Sequence, residues 1–221
     1  MTVLAREISA LLGKEVRLEL RQKYVINGIL LYLLSTIFVT YLAFDRIIDA
    51  HTWNSLFWII LLFVAVNGIS KSFVQESPAR YFYYYTVASP RSIILSKIIY
   101  NLILMTVLSL LAAGLFFLLI GNFVADPALF LVALMLGSWG LASILTIVSA
   151  IASRAGNHFS LMAILSFPIV LPLLAVLMKV SSASLTRASW GAVRGDLIIL
   201  ATLDFAVIAL GYLLFPYLWK D

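Results

Sequence analysis

Six long apolar runs fill most of the chain, separated by short polar joints. They read as about Val25–Phe44, Trp53–Ile69, Ile93–Ile120, Ala128–Ile151, Phe159–Met178 and Leu197–Trp219. A helix needs about 20 apolar residues to cross about 30 Å of hydrocarbon, so each run predicts one membrane span. The second run is short and the third long, which predicts tilted spans or ends that leave the bilayer. Tight joints at Gly121–Pro127 and Ser153–Asn157 predict that the third, fourth and fifth spans are antiparallel neighbours. Ahead of the runs, Leu4, Ile8, Leu11, Leu12 and Val16 recur at helical spacing, while Arg6, Lys14, Glu15, Arg17, Glu19, Arg21 and Lys23 take other positions. One apolar stripe among many charges predicts an amphipathic helix in the membrane interface, an elbow over residues 1–24.

Composition turns this pattern into a fold class. The chain has 221 residues, of which 63% are hydrophobic and 11% charged; its mean hydropathy is +1.08. Soluble domains average about 45–50% apolar and about 25% charged residues. Such an excess predicts an apolar surface and hence an all-α integral membrane protein. It would be a single domain over 1–221, with the six-span bundle at 25–219 and lipid as its solvent. The first residues mix charges and show no early apolar core with a small-residue cleavage site, so insertion through uncleaved spans is expected. The net charge of +5 is read as membrane topology rather than nucleic-acid binding. Arg6, Lys14, Arg17, Arg21, Lys23, Lys71, Arg80, Arg91, Lys97, Arg154 and Lys220 fall on one side; Arg46, Lys179, Arg187 and Arg194 fall on the other. The positive-inside rule then predicts both termini in the cytoplasm, as an even number of spans requires. The chain lacks cysteine, which excludes disulfides, thiolate metal or haem ligands, and thioether attachment of haem.

Chemistry has few places to reside. The interval 70–91 is the longest polar and aromatic stretch on the predicted cytoplasmic side. Glu76, Arg80 and Arg91 are separated there by the aromatic run Tyr81–Tyr85, and Pro78 and Pro90 interrupt helix. One reading is a surface for a soluble partner, with Ser89, Pro90 and Arg91 opening the third span; the other is an aromatic belt at the headgroups. Asp204 lies inside the sixth run, where a charge costs roughly 2.5–3.5 kcal/mol on insertion scales unless it faces protein or water. It is expected to be protonated or paired with Asn101, Lys97, or a Ser or Thr, unless it reaches the outer interface. Pro168 and Pro172 would loosen the fifth span, and Gly137, Gly140, Ser143 and Thr146 give the fourth a small-residue packing face. The segment Val180–Asp196 reads as the largest outer loop. Asp45, Asp49 and His51 share a short outer joint and make at most a weak cation site. His51 and His158 fall on opposite sides and cannot jointly hold a metal, so no metal site is expected. Neither a GxxxxGK[ST] nucleotide loop nor an HExxH motif is present. Any ATP must therefore be bound by another chain.

These features resemble the haem exporter protein B family, CcmB, the permease of the ABC-type complex in cytochrome c maturation. The resemblance covers nearly the whole length. It rests on the amphipathic start ending KEVRLELRQKY, on Ser89-Pro-Arg-Ser-Ile-Ile-Leu-Ser-Lys97 and on the stretch from Leu134 to Leu174. In the last, a small-residue span, a hinge at Arg154 and Gly156, and a span with Pro168 and Pro172 follow in the family's order. The family's acidic stretch before the Ser-Pro turn is replaced here by Glu76-Ser-Pro-Ala-Arg-Tyr-Phe, leaving Glu76 to supply the acidic role. The resemblance implies a type-2 ABC exporter permease fold in a bacterial inner membrane, present as two copies with two CcmA-like ATPase subunits. It implies CcmC-like and CcmD-like membrane partners and a CcmE-like haem chaperone outside, with haem as cargo. It also implies that ATP hydrolysis on the partner drives haem export or release of the loaded chaperone. An ABC permease for a lipid-linked glycan or drug, and a proton-coupled carrier using Asp204, are the competing readings.

Overall fold

The computed structural model describes residues 3–21, 23–44, 48–70, 73, 88–153 and 158–220. Among them the chain forms seven helices and no strand. They are α1 (Val3–Arg21), α2 (Lys23–Phe44), α3 (Ala50–Ile69), α4 (Pro90–Leu119), α5 (Pro127–Ala152), α6 (His158–Leu185) and α7 (Trp190–Lys220). Six of these, α2 to α7, are long and apolar enough to cross a membrane. Their outward faces remain apolar, with Leu31, Leu118, Phe205 and Tyr217 among the exposed side chains. That surface suits a lipid solvent, and the chain is a multi-pass membrane protein.

Local chemistry sets the helix starts. Asp49 caps α3, its carboxylate accepting from the backbone N–H of His51 at 3.1 Å and of Thr52 at 3.2 Å. Ser89 caps α4 and Asp126 caps α5, each followed by proline at the first helical position. Proline is pre-set for that position and lacks only an N–H that would have had no partner. At the far end of α4, Gly121 adopts φ +115°. Its N–H reaches back to the Phe116 carbonyl at 3.1 Å. The left-handed backbone closes the helix in a way that a Cβ would oppose. The Gly121 carbonyl in turn accepts from the Trp53 indole at 3.1 Å.

α5 is the hub, packed against α3, α4, α6 and α7. Two-thirds of its most apolar window is buried, against 17% for α2 and α7. On the side away from the termini, Trp53, Phe57, Phe116, Phe117 and Phe130 interlock with ring centroids 5.2–6.0 Å apart. α5 and α7 run in the same direction. Gly140 receives Asp204, and seven residues on Ile147 presses into Gly211. The small residue thus changes helix from one contact to the next.

One expectation about the chain's course fails. The segment Val180–Asp196 is not a large loop: α6 continues to Leu185 and α7 begins at Trp190. Ser181 and Ser184 are fully buried. The Ser181 hydroxyl donates to Asn54 Oδ1 at 2.6 Å, and the Ser184 carbonyl accepts from the backbone N–H of Ala125 and Asp126. Partners on other helices make helix out of residues whose small polar character suggests a turn. The remaining joint turns on Arg187, at φ +52°, and is braced by a Lys179–Asp196 ion pair at 2.9 Å. Pro168 and Pro172 lie inside α6, exposed, and the helix runs through both.

Candidate functional site: the helix start beside the amphipathic arm

α4 has 30 residues, about 45 Å at about 1.5 Å per residue. A bilayer core is about 30 Å thick, so the helix exceeds what an upright span requires. Polar pairing is concentrated on its opening turns, and α1 supplies it. The Glu7 carboxylate accepts from the Ser89 backbone N–H at 3.2 Å, the Ser89 hydroxyl at 2.9 Å and the Ser92 hydroxyl at 2.7 Å. Glu15 Oε1 lies 3.3 Å from the Lys97 ammonium and 3.0 Å from that of Lys14. Glu19 hydrogen-bonds Tyr100. The three acids fall on one face of α1 and meet α4 in chain order, so the two helices run alongside each other in the same sense.

The electrostatics follow from these contacts. Hydrogen bonds from the Ser92 hydroxyl and from the backbone and hydroxyl of Ser89 hold the Glu7 carboxyl below its ordinary range. Burial pushes Glu15 upward, but the charges of Lys97 and Lys14 outweigh it and the net shift is down. Lys97 is only 3% exposed and also stands 4.8 Å from the centre of the Phe73 ring. Arg91 is exposed and lies 5.1 Å above the Tyr212 ring of α7. The opening turns of α4 are therefore tied to α1 by ionic contacts and to α7 by a cation–π contact.

Of the residues singled out from the sequence, Ser89, Pro90 and Arg91 form this helix start. Glu76, Pro78 and Arg80, with most of the interval 70–91, lie outside the described residues, as do Arg154 and Gly156 of the hinge. Asn101 and Asp204 do not meet. Asn101 donates to the Thr146 hydroxyl at 2.8 Å, and that hydroxyl donates to the Ala142 carbonyl at 2.6 Å. The expected pairing of Asp204 with Asn101 or Lys97 is thus corrected: both candidates are engaged elsewhere, and Asp204 instead faces Gly140. Asp49 caps α3, and Asp45 lies outside the described residues. Among the described residues, no three His, Cys, Asp or Glu side chains converge on a metal-sized site. Sequence reasoning missed Glu7 and Glu15 as partners of α4, although Glu7, Glu15 and Glu19 at steps of eight and four mark one helical face.

The sequence model of the CcmB protein matches residues 6–217. The chain belongs to the CcmB family. No curated protein matches it. CcmB chains are the membrane permease subunits of haem export in cytochrome c biogenesis, working with other components of that machinery rather than as enzymes themselves. In this CcmB chain the family match takes in all six spans and the α1–α4 contact from Glu7 onward.

Proposed function

We propose that this chain is the permease of an ABC-type complex in a bacterial inner membrane, with both termini in the cytoplasm. A CcmA-like ATPase grips it at the coupling interval 70–91. Glu76, Pro78 and Arg80 contribute contacts, and Ser89, Pro90 and Arg91 pass the motion on. Two permeases and two ATPases act together, beside CcmC-like and CcmD-like membrane proteins. Nucleotide binding favours one arrangement of the spans, and hydrolysis releases it. The cycle exports haem or frees the haem-loaded CcmE-like chaperone on the other face.

The observation that carries this reading is the α1–α4 clamp. A force arriving through the interval enters the bundle at Ser89. There Glu7 holds the cap, and Glu15 holds Lys97 two turns further on. A helix start bound to one amphipathic arm moves as a unit with it instead of fraying. A ligand-driven cycle needs contacts that differ between two states, and those of α4 with α1 and α7 are of a kind that can differ. The hinge at Arg154 and Gly156 would let α5 and α6 respond, with Pro168 and Pro172 softening α6.

Co-purification of the full chain with the ATPase tests the grip. Replacing Glu76 and Arg80 by Ala together with Arg91→Glu is expected to reduce recovery of the ATPase at least tenfold. The bundle itself should remain folded, because the span before the interval ends at Ile69, the next begins at Pro90, and Arg91 is exposed. Undiminished recovery and ATP-dependent cytochrome c maturation with the triple variant would place the grip elsewhere.

A further inference from the structure

Asp204 sits near the middle of α7 and is 6% exposed. No donor among the described residues reaches either carboxyl oxygen. Oδ1 lies 2.6 Å from the point where a Cβ would stand on Gly140, halfway along α5. Leu173 of α6 closes the same spot, its methyl carbons at 2.8 Å from that point. A carboxyl in such a place can be held by a cation, by a metal or by a proton.

The first two do not fit. α5 carries no charged or titratable side chain along its whole length. On α4, Lys97 pairs with Glu15, Tyr100 with Glu19, and Arg91 lies over Tyr212. On α6, Lys179 pairs with Asp196, and His158 begins the helix at its other end. On α7 itself, Arg194 stands almost three turns nearer the helix start and Tyr212 more than two turns further on. A metal would need further ligands, and among the described residues no three His, Cys, Asp or Glu side chains converge on a metal-sized site. At the Gly140 contact the Asp204 carboxyl and the Leu173 methyls crowd the same point. Ser143, one turn along α5 from Gly140, also has a buried hydroxyl with no partner among the described residues, so it donates no hydrogen bond to the Asp204 carboxyl.

We propose that Asp204 is a proton-binding site in the middle of the bundle, occupied while α7 is docked on α5. The proton comes from water, forms an O–H bond on the carboxyl and returns to water when that bond breaks. The contact it serves is the parallel α5–α7 seam, where Gly140 admits Asp204 and Gly211 admits Ile147. A neutral acid can lie against Gly140 and Leu173; a carboxylate favours any arrangement that lets it meet water. Proton loss and opening of the seam are therefore linked, each promoting the other. This site operates in the permease itself and needs no nucleotide.

The test uses the full chain in phosphatidylcholine–phosphatidylglycerol vesicles. Infrared spectra at neutral pH should show the carbonyl stretch of a weakly hydrogen-bonded carboxylic acid. The band should shift on carbon-13 labelling of aspartate and be absent from Asp204→Asn. The labelling arm needs no substitution, so it stands even if the variant misfolds. A second arm exploits the absence of native cysteine. Ile147→Cys with Gly211→Cys reports docking by oxidative cross-linking. As pH rises into the alkaline range, cross-linking should fall several-fold relative to the same pair carrying Asp204→Asn, in which thiol ionisation is equal but no proton can leave. An acid band that does not respond to aspartate labelling would overturn the proposal, as would identical pH profiles for Asp and Asn. Neither arm contains an ATPase, so failure here leaves the grip at 70–91 untouched, and failure of that grip leaves this site standing.

Discussion

Among the described residues, Lys97 and Asp204 are the two most deeply buried Lys, Arg, Asp or Glu side chains, at 3% and 6% exposure, and they are accommodated in opposite ways. Lys97 lies in the opening turns of α4. There an amphipathic helix brings a carboxylate to 3.3 Å and a phenyl ring covers the ammonium. Asp204 lies near the middle of α7 against Gly140 of the facing helix, and no donor among the described residues reaches it. The difference teaches where charge can be held as charge. At the start of α4, α1 reaches the site with its own ions, and the ammonium meets a carboxylate. In the middle no helix can deliver a counter-ion without burying a second charge, whose desolvation would offset the attraction. A charged group is then tolerated only if it can become neutral.

The sharpest way to break this comparison is to make Lys97 resemble Asp204. Glu15→Ala leaves the ammonium buried with its strongest partner gone. Losing one member of a buried pair costs about 3–5 kcal/mol, and the part-exposed Glu15 places the expectation near the lower end, about 3 kcal/mol. Thermal unfolding in detergent should show a clearly lowered midpoint. Glu15→Leu combined with Lys97→Met should recover most of the loss, because the pair is replaced rather than broken. A double variant as unstable as Glu15→Ala would show that Lys97 matters for something other than its pairing.

A middle-sized effect probes the other side. In Gly140→Ala the new methyl would stand 2.6 Å from Asp204 Oδ1 and 2.8 Å from Leu173. Overpacking of this kind costs about 1–3 kcal/mol. Asp204→Ala should relieve part of it in the double variant, giving a non-additive cycle of about 1 kcal/mol in thermal stability. Gly114→Ala is the matched control. No atom lies within 4 Å of its added methyl, and mid-helix glycine is worth about 0.5–1 kcal/mol less than alanine, so this variant should gain stability. Equal losses at Gly114 and Gly140 would mean that α5 and α7 do not meet as closely as described.

Much of this arrangement is legible along the chain, and the limits have physical causes. The fourth span is placed to within a residue, because Asp126 and Pro127 begin it by local chemistry and no charged residue interrupts it before Ala152. The fifth and sixth spans are underestimated. Ser181, Ser184 and the stretch after Trp190 are polar enough to suggest loop, and only Asn54, Ala125 and Asp126 on distant segments make them helical. Asp204 is recognisable as an anomaly from its place in an apolar run, but its neighbour is not. That neighbour is a glycine more than sixty positions away, and nothing in a glycine advertises a carboxyl. Asn101 fails for a related reason: Thr146 is one of several hydroxyls on the adjacent span, and the choice depends on helix rotation. The acids of α1 share one face, a pattern that points to a partner without naming Ser89 or Lys97.

The smallest expected effect separates the two regions by pH. Glu7 and Glu15 both ionise more readily in the folded chain than in the unfolded one. A depressed carboxyl contributes stability that is fully present above the unfolded value of about 4.5 and disappears as pH falls through the lower folded value. The clamp should therefore be intact at neutral pH and loosen only in acid, whereas the seam at Asp204 should be undisturbed there, since acid keeps its proton in place. Hydrogen exchange read peptide by peptide distinguishes them: acidification should lower protection of α1 and of the first turns of α4, after correction for intrinsic exchange, while mid-span α5 and α7 keep theirs. Glu7→Gln should remove about 0.5–1 kcal/mol at neutral pH, a modest figure because solvent screens this edge of α1. It should also shrink the acid-dependent loss around Ser89, leaving the part that belongs to Glu15. If acid loosened α7 from α5 before α1 from α4, the two regions would have exchanged roles, with the charged form resident at mid-span and the neutral one at the surface.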